Sequence, residues 1–298
     1  MMLDVLLITC LYLCVHKSDR DVLICASGIG CAELRNLDRS SQGVPEKKVH
    51  YKPSCSHRAE ALFSSFQPRN PGNCEKEVGR LVGRGFERKA NEWMRLVRHY
   101  TSGHRSERIK LLPKNSALLV IDMQRYFLER SSHAYVPSSK AILENIRALI
   151  KAYRKLSLPV VFTRYAVPKG EDPGAMGRWW GDVLREEDEL SEIVHPIAPS
   201  PEEIVLRKSQ YSAFVGTDLE KILRKRRVKS VIVTGVLTHL CCETTARDAF
   251  MRGFDVFFVI DGTASDREEL HVSSLRTLTD GFAIPMTTAE VVKRLKLK

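Results

Sequence analysis

Residues 117–121 read Ala-Leu-Leu-Val-Ile and lead directly into Asp122. A continuous apolar run of this length is typical of a strand that is buried on both faces of a parallel sheet. Similar runs recur along the chain and alternate with segments of helical periodicity, which indicates an α/β fold. We therefore predict an open, mostly parallel, six-stranded sheet with helices on both faces. The predicted strands are 117–121, 159–163, 203–206, 230–234, 255–260 and 284–287, and the predicted helices are 138–156, 217–227, 239–252, 267–279 and 289–295.

The chain before residue 113 differs in character. Residues 1–75 show little periodicity, and both 28–30 (Gly-Ile-Gly) and 36–50 are predicted as loop. A helix is predicted over 75–98, although its three glycines weaken the pattern. We divide the chain into an N-terminal extension of unknown structure (1–75), a helical lead-in (76–112) and an α/β domain (113–298). For the extension, disorder and a start site placed too far upstream both remain open.

The composition excludes several classes of protein. The chain has 298 residues, of which 43% are hydrophobic and 28% charged, so collagen, coiled coils and wholesale disorder are excluded. No apolar run reaches the roughly 18 residues that a membrane-spanning helix needs. The longest run, 5–15, follows Asp4 rather than a basic segment, which favours a buried element over a secretory signal. We expect a cytoplasmic protein that does not bind membranes.

The formal net charge of +11 is concentrated near the N-terminus. Residues 1–113 carry 19 basic and 12 acidic side chains, against 28 and 24 in the remainder. A basic cluster over 84–110 could meet a polyanion, but its spacing is equally that of a solvated helix face, and no nucleic-acid motif accompanies it. Nucleic acid is therefore a disfavoured partner. The eight cysteines lack the spacing of a zinc finger.

Three reactive side chains follow predicted strands, at the edge where parallel sheets form their sites. Asp122 follows the first strand, Lys208 the third, and Cys241 the fourth, near the start of a helix and after Gly235, which permits a sharp turn. A helix N-terminus and a nearby ammonium would both lower the pKa of the thiol. Together the three would form an activated nucleophile with its own acid and base. From the pattern alone, a helix-capping Asp and a structural cysteine are equally open.

Three motifs resemble the isochorismatase-like hydrolase superfamily, in that family's order and spacing. They are Val-Ile-Asp-Met-Gln-Arg-Tyr-Phe at 120–127, Lys208 followed by Tyr-Ser-Ala-Phe at 211–214, and the segment 234–250 from Thr-Gly-Val to Arg-Asp-Ala-Phe. The resemblance covers about 113–298 and leaves 1–75 outside. It implies a Rossmann-like six-stranded parallel sheet, a small-molecule substrate and a homo-oligomer.

The resemblance also implies a catalytic set of Asp122, Lys208 and Cys241. Cys241 would attack a carbonyl carbon, Asp122 would take the thiol proton and return it to the leaving amine, and Lys208 would hold the thiolate and orient the carboxylate. A cis peptide bond is implied between residues 236 and 237, with an oxyanion hole formed by the N–H groups of Leu237 and Cys241. Cys242 is assigned to packing, because one step along a helix turns a side chain by about 100°.

Substrate contacts are expected in the loops that the family places around its site. The expected residues are Gln124, Phe127, Arg164, Trp179, Tyr211 and His239. An arginine in the connection after the second strand could pair with a substrate carboxylate. Loop packing explains the tryptophans of that connection at least as well, and packing explains His239 about as well.

The motifs also bear on the branch of the superfamily. Nicotinamidase-like members bind a metal through an Asp-x-His pair and a further His, whereas residues 123–207 contain only His133 and His195. We therefore expect no metal or other cofactor and disfavour a nicotinamidase. True isochorismatases typically have glycine where this chain has Cys241. The leading prediction is a metal-independent cysteine hydrolase that cleaves a C–N bond of a small amide, N-carbamoyl or ureido compound through a thioester-type intermediate.

Two alternatives remain open. Isochorismatase-type hydrolysis of a vinyl ether would use acid catalysis by Asp122 and need no thiol. A non-catalytic binding protein would direct its basic N-terminal third at nucleic acid. The complete set of Asp, Lys and Cys disfavours this last alternative.

Overall fold

The computed structural model describes residues 14–18, 21–26, 29–34, 85–101 and 107–296. The chain divides into two units, residues 1–66 and 67–298. In the first unit, β1 (Cys14–Ser18), β2 (Asp21–Ala26) and β3 (Ile29–Leu34) form an antiparallel sheet in the order β1-β2-β3. The loop predicted at 28–30 is wrong at Ile29 and Gly30, because both belong to the strand that pairs with β2. The predictions for 1–13 and 36–75 lie outside the described residues.

The second unit contains the six-stranded parallel sheet that the alternating pattern predicts. Its strands are β4 (Ser116–Ile121), β5 (Val160–Tyr165), β6 (Ile204–Lys208), β7 (Ser230–Val236), β8 (Asp255–Ala264) and β9 (Ile284–Met286). The strand order is β6-β5-β4-β7-β8-β9, and each neighbouring pair is parallel. The chain therefore reverses its winding direction between β4 and β7, which is where such sheets form ligand sites.

Helices cover both faces of this sheet, as its buried central strands require. Every residue of β4 and of β7 is buried, so neither face of the centre can be left to water. The helices are α1 (Phe86–Thr101), α2 (Arg125–Leu128), α3 (Ser139–Lys155), α4 (Gly174–Trp180), α5 (Leu219–Lys225), α6 (Glu243–Met251), α7 (Glu268–Gly281) and α8 (Thr288–Lys296).

The lead-in helix α1 belongs to the core of the parallel-sheet unit. Its apolar residues recur at helical spacing, and Ala90, Trp93 and Val97 join the same hydrophobic cluster as the central strands. On α7, Glu268 accepts hydrogen bonds from Trp93 and Lys89. The helix predicted over 75–98 is thus observed over Phe86–Thr101, and 75–84 lies outside the described residues.

Several boundaries near the site differ from the prediction. Strand β7 continues through Gly235 to Val236, and β8 extends to Ala264 rather than 260. The helix predicted over 239–252 begins instead with a π-helical turn, Thr238–Cys242, that leads into α6. The short helices α2 and α4 were not predicted, because four and seven residues are too few for a clear period. Among the described residues, no helix has the length and apolar character required to cross a bilayer.

Candidate active site

Asp122, Lys208 and Cys241 meet at the carboxyl edge of the parallel sheet. Asp122 follows β4, Lys208 is the last residue of β6, and Cys241 lies in the π-helical turn after β7. Lys208 Nζ lies 2.7 Å from Asp122 Oδ2 and 3.4 Å from Cys241 Sγ. The side chains of Asp122 and Lys208 are inaccessible to solvent, and Cys241 is also buried. The three strand ends singled out from the sequence therefore supply one cluster.

The ammonium of Lys208 is fully engaged within the protein. Nζ donates to the carbonyl oxygen of Gln210 at 2.9 Å and to Cys241 Sγ, and it forms an ion pair with Asp122. The carboxylate of Asp122 is held from the other side by Thr163 on β5, whose hydroxyl donates to Oδ1 at 2.6 Å and accepts from the Asp122 N–H at 3.1 Å. Asp122 itself has a φ of +49°, a left-handed conformation that Asp tolerates better than most residues. These contacts fix both charged groups before a ligand arrives.

Burial determines the protonation of this cluster. Burial raises the pKa of the Cys241 thiol to about 12; the positive charge of Lys208 lowers it and the negative charge of Asp122 raises it. For Lys208, burial lowers the pKa, but the charges of Asp122 and Cys241 outweigh that effect and hold the pKa above its ordinary value. The resting site is thus a neutral thiol beside a charged lysine. The lowered thiol pKa predicted from the sequence is wrong, because desolvation outweighs the helix N-terminus and the ammonium.

The two neighbouring cysteines point to different surroundings. Cys242 Sγ contacts the carbonyl oxygen of Thr234 at 3.9 Å, and its residue is completely buried in the core. Cys241, by contrast, contacts Lys208 and lines a cavity. The geometry therefore separates a thiol that faces the cluster from one that faces the sheet.

The turn that carries Cys241 is held by backbone geometry and by α7. The peptide bond between Val236 and Leu237 is cis, as the resemblance implies. Leu237 O accepts the N–H groups of Leu240 and Cys242. Thr238 Oγ1 lies 2.9 Å from His271 Nδ1, and the His271 ring lies against Trp93 of α1 at a centroid distance of 4.4 Å. Burial lowers the pKa of His271 to about 4, so it is neutral and acts as a hydrogen-bond partner.

A cavity of about 350 Å³ lies over Cys241. Its volume is that of a small-molecule site, and its walls carry several aromatic side chains. Of the residues expected to contact substrate, Phe127, Tyr211 and His239 line this cavity. Leu237 and Cys241, the two residues implied for the oxyanion hole, line it as well.

The other three expected residues, Gln124, Arg164 and Trp179, are not among those that line this cavity. Gln124 is buried, and its side-chain amide is hydrogen-bonded to the backbone. It donates to the carbonyls of Tyr165 and Ser191 and accepts from the Tyr165 N–H. Arg164 pairs with Glu186 at 2.8 Å. Trp179 is 79% exposed, whereas its neighbour Trp180 lines the cavity. Consecutive residues of a helix face different sides, and the sequence did not show which tryptophan faces inward.

Several lining residues were missed. Tyr126, Tyr165, Met176 and Arg267 line the cavity together with residues expected from the sequence. A signal existed for Tyr165, which ends β5 at the same edge as Asp122 and Lys208. Met176 and Arg267 come from connections whose paths depend on tertiary packing, so periodicity could not place them.

The Tyr-Ser-Ala-Phe motif is largely explained by packing against α6. Ser212 donates to Asp248 at 2.6 Å, and the N–H of Ala213 donates to Thr245 Oγ1 at 3.0 Å. These bonds tie the loop after Lys208 to the helix that follows Cys241. Only Tyr211 of this motif lines the cavity.

The resemblance to nicotinamidase-like members, which carry a metal, raises the question of a metal centre at this cavity. In the part of the chain that the structure describes, no group of three or more His, Cys, Asp or Glu side chains is arranged to hold a metal ion. His133 and Asp182 approach each other at the cavity, but as a pair. The residues present do not fit a metal centre there.

Comparisons with known proteins place the chain in a family. A family model described as "Isochorismatase domain" matches residues 116–290. Nicotinamidase 3 of Arabidopsis thaliana is 48% identical over 174 residues, which cover 57% of this chain and 83% of that protein. Enterobactin synthase component B of Escherichia coli is 35% identical over 183 residues, covering 60% of this chain and 63% of that protein. A cysteine hydrolase from Pseudomonas syringae has a TM-score of 0.60 at 32% identity, covering 62% of this chain and 94% of that structure.

Fold, strand order and family model together define an isochorismatase-like α/β hydrolase. The chain belongs to the isochorismatase family. The predicted family and fold are confirmed.

Proposed function

We propose that this chain is a cysteine amidohydrolase that cleaves the C–N bond of a small, uncharged amide without a metal. The observation that carries the proposal is the position of one buried ammonium, Lys208, 2.7 Å from a carboxylate and 3.4 Å from a thiol that lines a cavity. This arrangement supplies a nucleophile, a proton acceptor and a fixed positive charge in one place.

The proposed reaction begins with a protonated thiol. Cys241 Sγ attacks the amide carbon as its proton passes to Asp122, so that no free thiolate has to form in the buried site. The carbonyl oxygen becomes an oxyanion, which the N–H groups of Leu237 and Cys241 receive. The C–N bond then breaks, the amine leaves with the proton from Asp122, and an acyl thioester remains. Water attacks the thioester carbon as Asp122 takes its proton, the C–S bond breaks, Asp122 returns the proton to the sulfur of Cys241, and the carboxylic acid is released.

Lys208 has an electrostatic role in this scheme. It stays protonated, since its pKa is raised, and it contacts both groups between which the proton moves. Its charge stabilises whichever of Asp122 and Cys241 carries the negative charge. The positive charge of Lys208 therefore stays beside the negative charge both before and after the proton moves.

The charges around the cavity favour an uncharged substrate. Among the described lining residues, Asp182 and Asp266 are acidic and Arg267 is basic, and Arg267 Nε lies 3.3 Å from Asp266. Arg164, expected from the sequence to hold a substrate carboxylate, is paired with Glu186. No lining cation is therefore left without a counter-charge, and neutral amides rank above N-carbamoyl and ureido acids.

Nicotinamide is the first substrate to test. It is a small planar amide that suits aromatic walls, and the name of the Arabidopsis relative supports it. The sequence disfavours a nicotinamidase because the metal-binding pair is missing. Amide cleavage by Cys241 without a metal step is consistent with both the name of that relative and the missing metal-binding pair.

The test is ammonia release from a panel of nicotinamide, other small amides, N-carbamoyl compounds and ureido compounds. We expect turnover by the parent, a loss of at least about 10³-fold in Cys241→Ala, and near-parental turnover in the matched variant Cys242→Ala. Dialysis against EDTA should leave the parent active. Full activity of Cys241→Ala would refute the nucleophile, and loss with EDTA would refute metal independence.

Isochorismatase-type hydrolysis is the second candidate, and the name of the Escherichia coli relative bears on it. It requires Asp122 as an acid and not Cys241, so Asp122→Asn would abolish activity while Cys241→Ala would not. The charge of the cavity weighs against a substrate with two carboxylates. Isochorismate is the next compound to test if the amide panel gives no ammonia.

A further inference from the structure

We infer that His271 is a positioning residue for the reaction at Cys241, which it holds in place through Thr238. The inference rests on the proposed function, because it assigns a further residue to the same site. Neither His271 nor Thr238 is among the residues that line the cavity, and neither has a part in the reaction scheme above. Their role is to fix the Cys241 turn (Thr238–Cys242), which carries the nucleophile.

Two side-chain hydrogen bonds tie the start of this turn to neighbouring elements. Thr238 Oγ1 lies 2.9 Å from His271 Nδ1 on α7. The next residue, His239, lies with its Nδ1 2.9 Å from Ser265 Oγ after β8. The first bond is buried, whereas the second is only partly buried. Because water does not compete for a buried hydrogen bond, the bond between Thr238 and His271 is the firmer of the two.

Thr238 stands beside the groups that the reaction scheme uses. It directly follows Leu237, whose N–H group is assigned to the oxyanion hole, and it precedes Cys241 by three residues. Within the turn, backbone N–H groups donate to Leu237 O, which holds the shape of the turn. The bond to His271 adds a fixed point on α7, outside the turn.

Helix α7 contacts this segment at two points. His271 bonds to Thr238 at the start of the turn, and Ser274 of α7 donates to Glu243 directly after the turn. Residues three apart lie on one face of a helix, so both contacts belong to the same face of α7. The turn is thus held between two points of one element. Removal of the first point leaves the Thr238 end without its bond to α7.

His271 is itself held by α1. Its ring lies against the Trp93 ring at a centroid distance of 4.4 Å, and Trp93 Nε1 donates to Glu268 Oε1 at 3.0 Å. Glu268 lies one helical turn before His271, so the indole contacts α7 at two points. Helix α1 precedes residue 116, where the match to the family model begins. The support for His271 therefore comes from outside the matched family segment.

Packing alone does not account for a histidine at this position. His271 is 3% exposed, and its Nε2 has no hydrogen-bond partner of normal geometry among the described residues. A buried polar nitrogen without a partner destabilises the fold, whereas a leucine would fill the space without that cost. The bond from Nδ1 to Thr238 is the feature that leucine could not supply. It forms in either neutral tautomer of the imidazole, because a hydroxyl both donates and accepts.

Loss of this bond should affect turnover and thiol reactivity in opposite directions. Turnover falls, because a displaced turn moves Cys241 Sγ from its place 3.4 Å from Lys208 Nζ and misdirects the Leu237 N–H group. Alkylation of the thiol becomes faster, because Cys241 is 5% exposed in the parent and a looser turn admits water and reagent. A change that only lowered the stability of the whole protein would move neither rate at a temperature well below unfolding.

The kinetic test compares His271→Leu and Thr238→Val with the conservative changes His271→Asn and Thr238→Ser. Asparagine places an amide near the position of Nδ1, and serine keeps the hydroxyl. We expect His271→Leu and Thr238→Val each to lower kcat for ammonia release by about 10- to 100-fold with little change in KM, and the conservative variants to keep most of the parental kcat. The double variant should be no slower than the slower single variant, because both changes remove one bond.

Alkylation of Cys241 by iodoacetamide is the second measurement, made in the Cys242→Ala background at one fixed pH. Its rate should rise several-fold in His271→Leu and in Thr238→Val. Leu278→Ala is the matched control, because Leu278 is a buried residue of α7 two helical turns beyond His271. It should lower stability and change neither kcat nor the alkylation rate. Trp93→Leu should shift both rates as His271→Leu does, by a smaller factor, and add nothing in the His271→Leu background.

The outcomes separate this inference from the proposed function. Parental kcat and parental alkylation in Thr238→Val and His271→Leu would overturn it, and so would equal losses in Leu278→Ala or multiplied losses in the double variant. If His271→Leu does not fold, Thr238→Val decides, because valine has the shape of threonine. If the parent releases ammonia from no compound, the proposed function fails while alkylation still tests the inference. Faster alkylation in Thr238→Val but not in Leu278→Ala supports it, and an unchanged rate in Thr238→Val overturns it.

Discussion

At the position of Cys241, opposing influences act on one thiol. The start of a helix and an ammonium favour the thiolate, whereas full burial and a neighbouring carboxylate favour the thiol. The first two are visible in the sequence, and burial is not, because it depends on how the loops cover the strand ends. The residue type and its neighbours were thus predicted, but the protonation state was not.

The rate of alkylation of Cys241 with iodoacetamide should therefore keep rising with pH well beyond the free-cysteine midpoint of about 8.5. The rate follows the thiolate fraction, and a pKa near 12 leaves little thiolate at neutral pH. In the Cys242→Ala background, mass spectrometry of the peptide that contains Cys241 separates its alkylation from that of the other cysteines, and Cys241→Ala identifies the signal. A plateau below pH 8.5 would show that the ammonium outweighs burial.

Among the elements, the central strand pair β4–β7 depends on one glycine. Gly235 has a φ of +116° and pairs with Ile121, and a Cβ added there would lie 2.0 Å from the carbonyl oxygen of Ile121. The obstacle is backbone rather than a movable side chain. The sequence indicates a turn at Gly235. In the structure, the missing side chain instead allows β4 and β7, which lead to Asp122 and to the Cys241 turn, to approach closely.

Gly235→Ala should accordingly destabilise the protein by about 2 to 4 kcal/mol, from overpacking and from a left-handed φ at a residue with a Cβ. Gly281→Ala, at the end of α7, is the matched control because a Cβ there meets no atom within 4 Å. Urea unfolding measures both variants. Equal stability of Gly235→Ala and the parent would contradict the described contact.

Some features of these elements could be predicted from sequence patterns, and others could not. Continuous apolar runs located all six parallel strands, and the signal is strongest in β4 and β7, which are buried on both faces. The catalytic cluster followed from three strand ends. The cavity wall did not, because the α4 segment and the residues before α7 carry no period, and Trp180 was not distinguished from Trp179.

On the scale of the whole molecule, the cluster is assembled from strands that are distant in the chain. Asp122 and Cys241 follow β4 and β7, Lys208 is the last residue of β6, and Thr163 on β5 holds Asp122 between them. Even α1 contributes, since Trp93 packs on His271, which contacts Thr238 in the Cys241 turn. No small part of this unit holds the site by itself.

Loss of activity and loss of the sheet should therefore coincide. We expect the thermal inactivation curve, measured by ammonia release, to overlay the unfolding curve measured by far-ultraviolet circular dichroism. A site on mobile loops would instead lose activity first, at a lower temperature. Inactivation several degrees before unfolding would contradict a cluster held by the strands.

The buried Asp122–Lys208 pair makes enzymatic activity a measure of the fraction of correctly folded molecules. The pair forms only when β4, β5 and β6 are in register. A molecule therefore has both the assembled sheet and a competent site, or it has neither. Specific activity then counts correctly folded molecules in a preparation. A compound that fills the cavity would raise that count under stress by mass action, which makes thermal protection a route to ligands before any product is known.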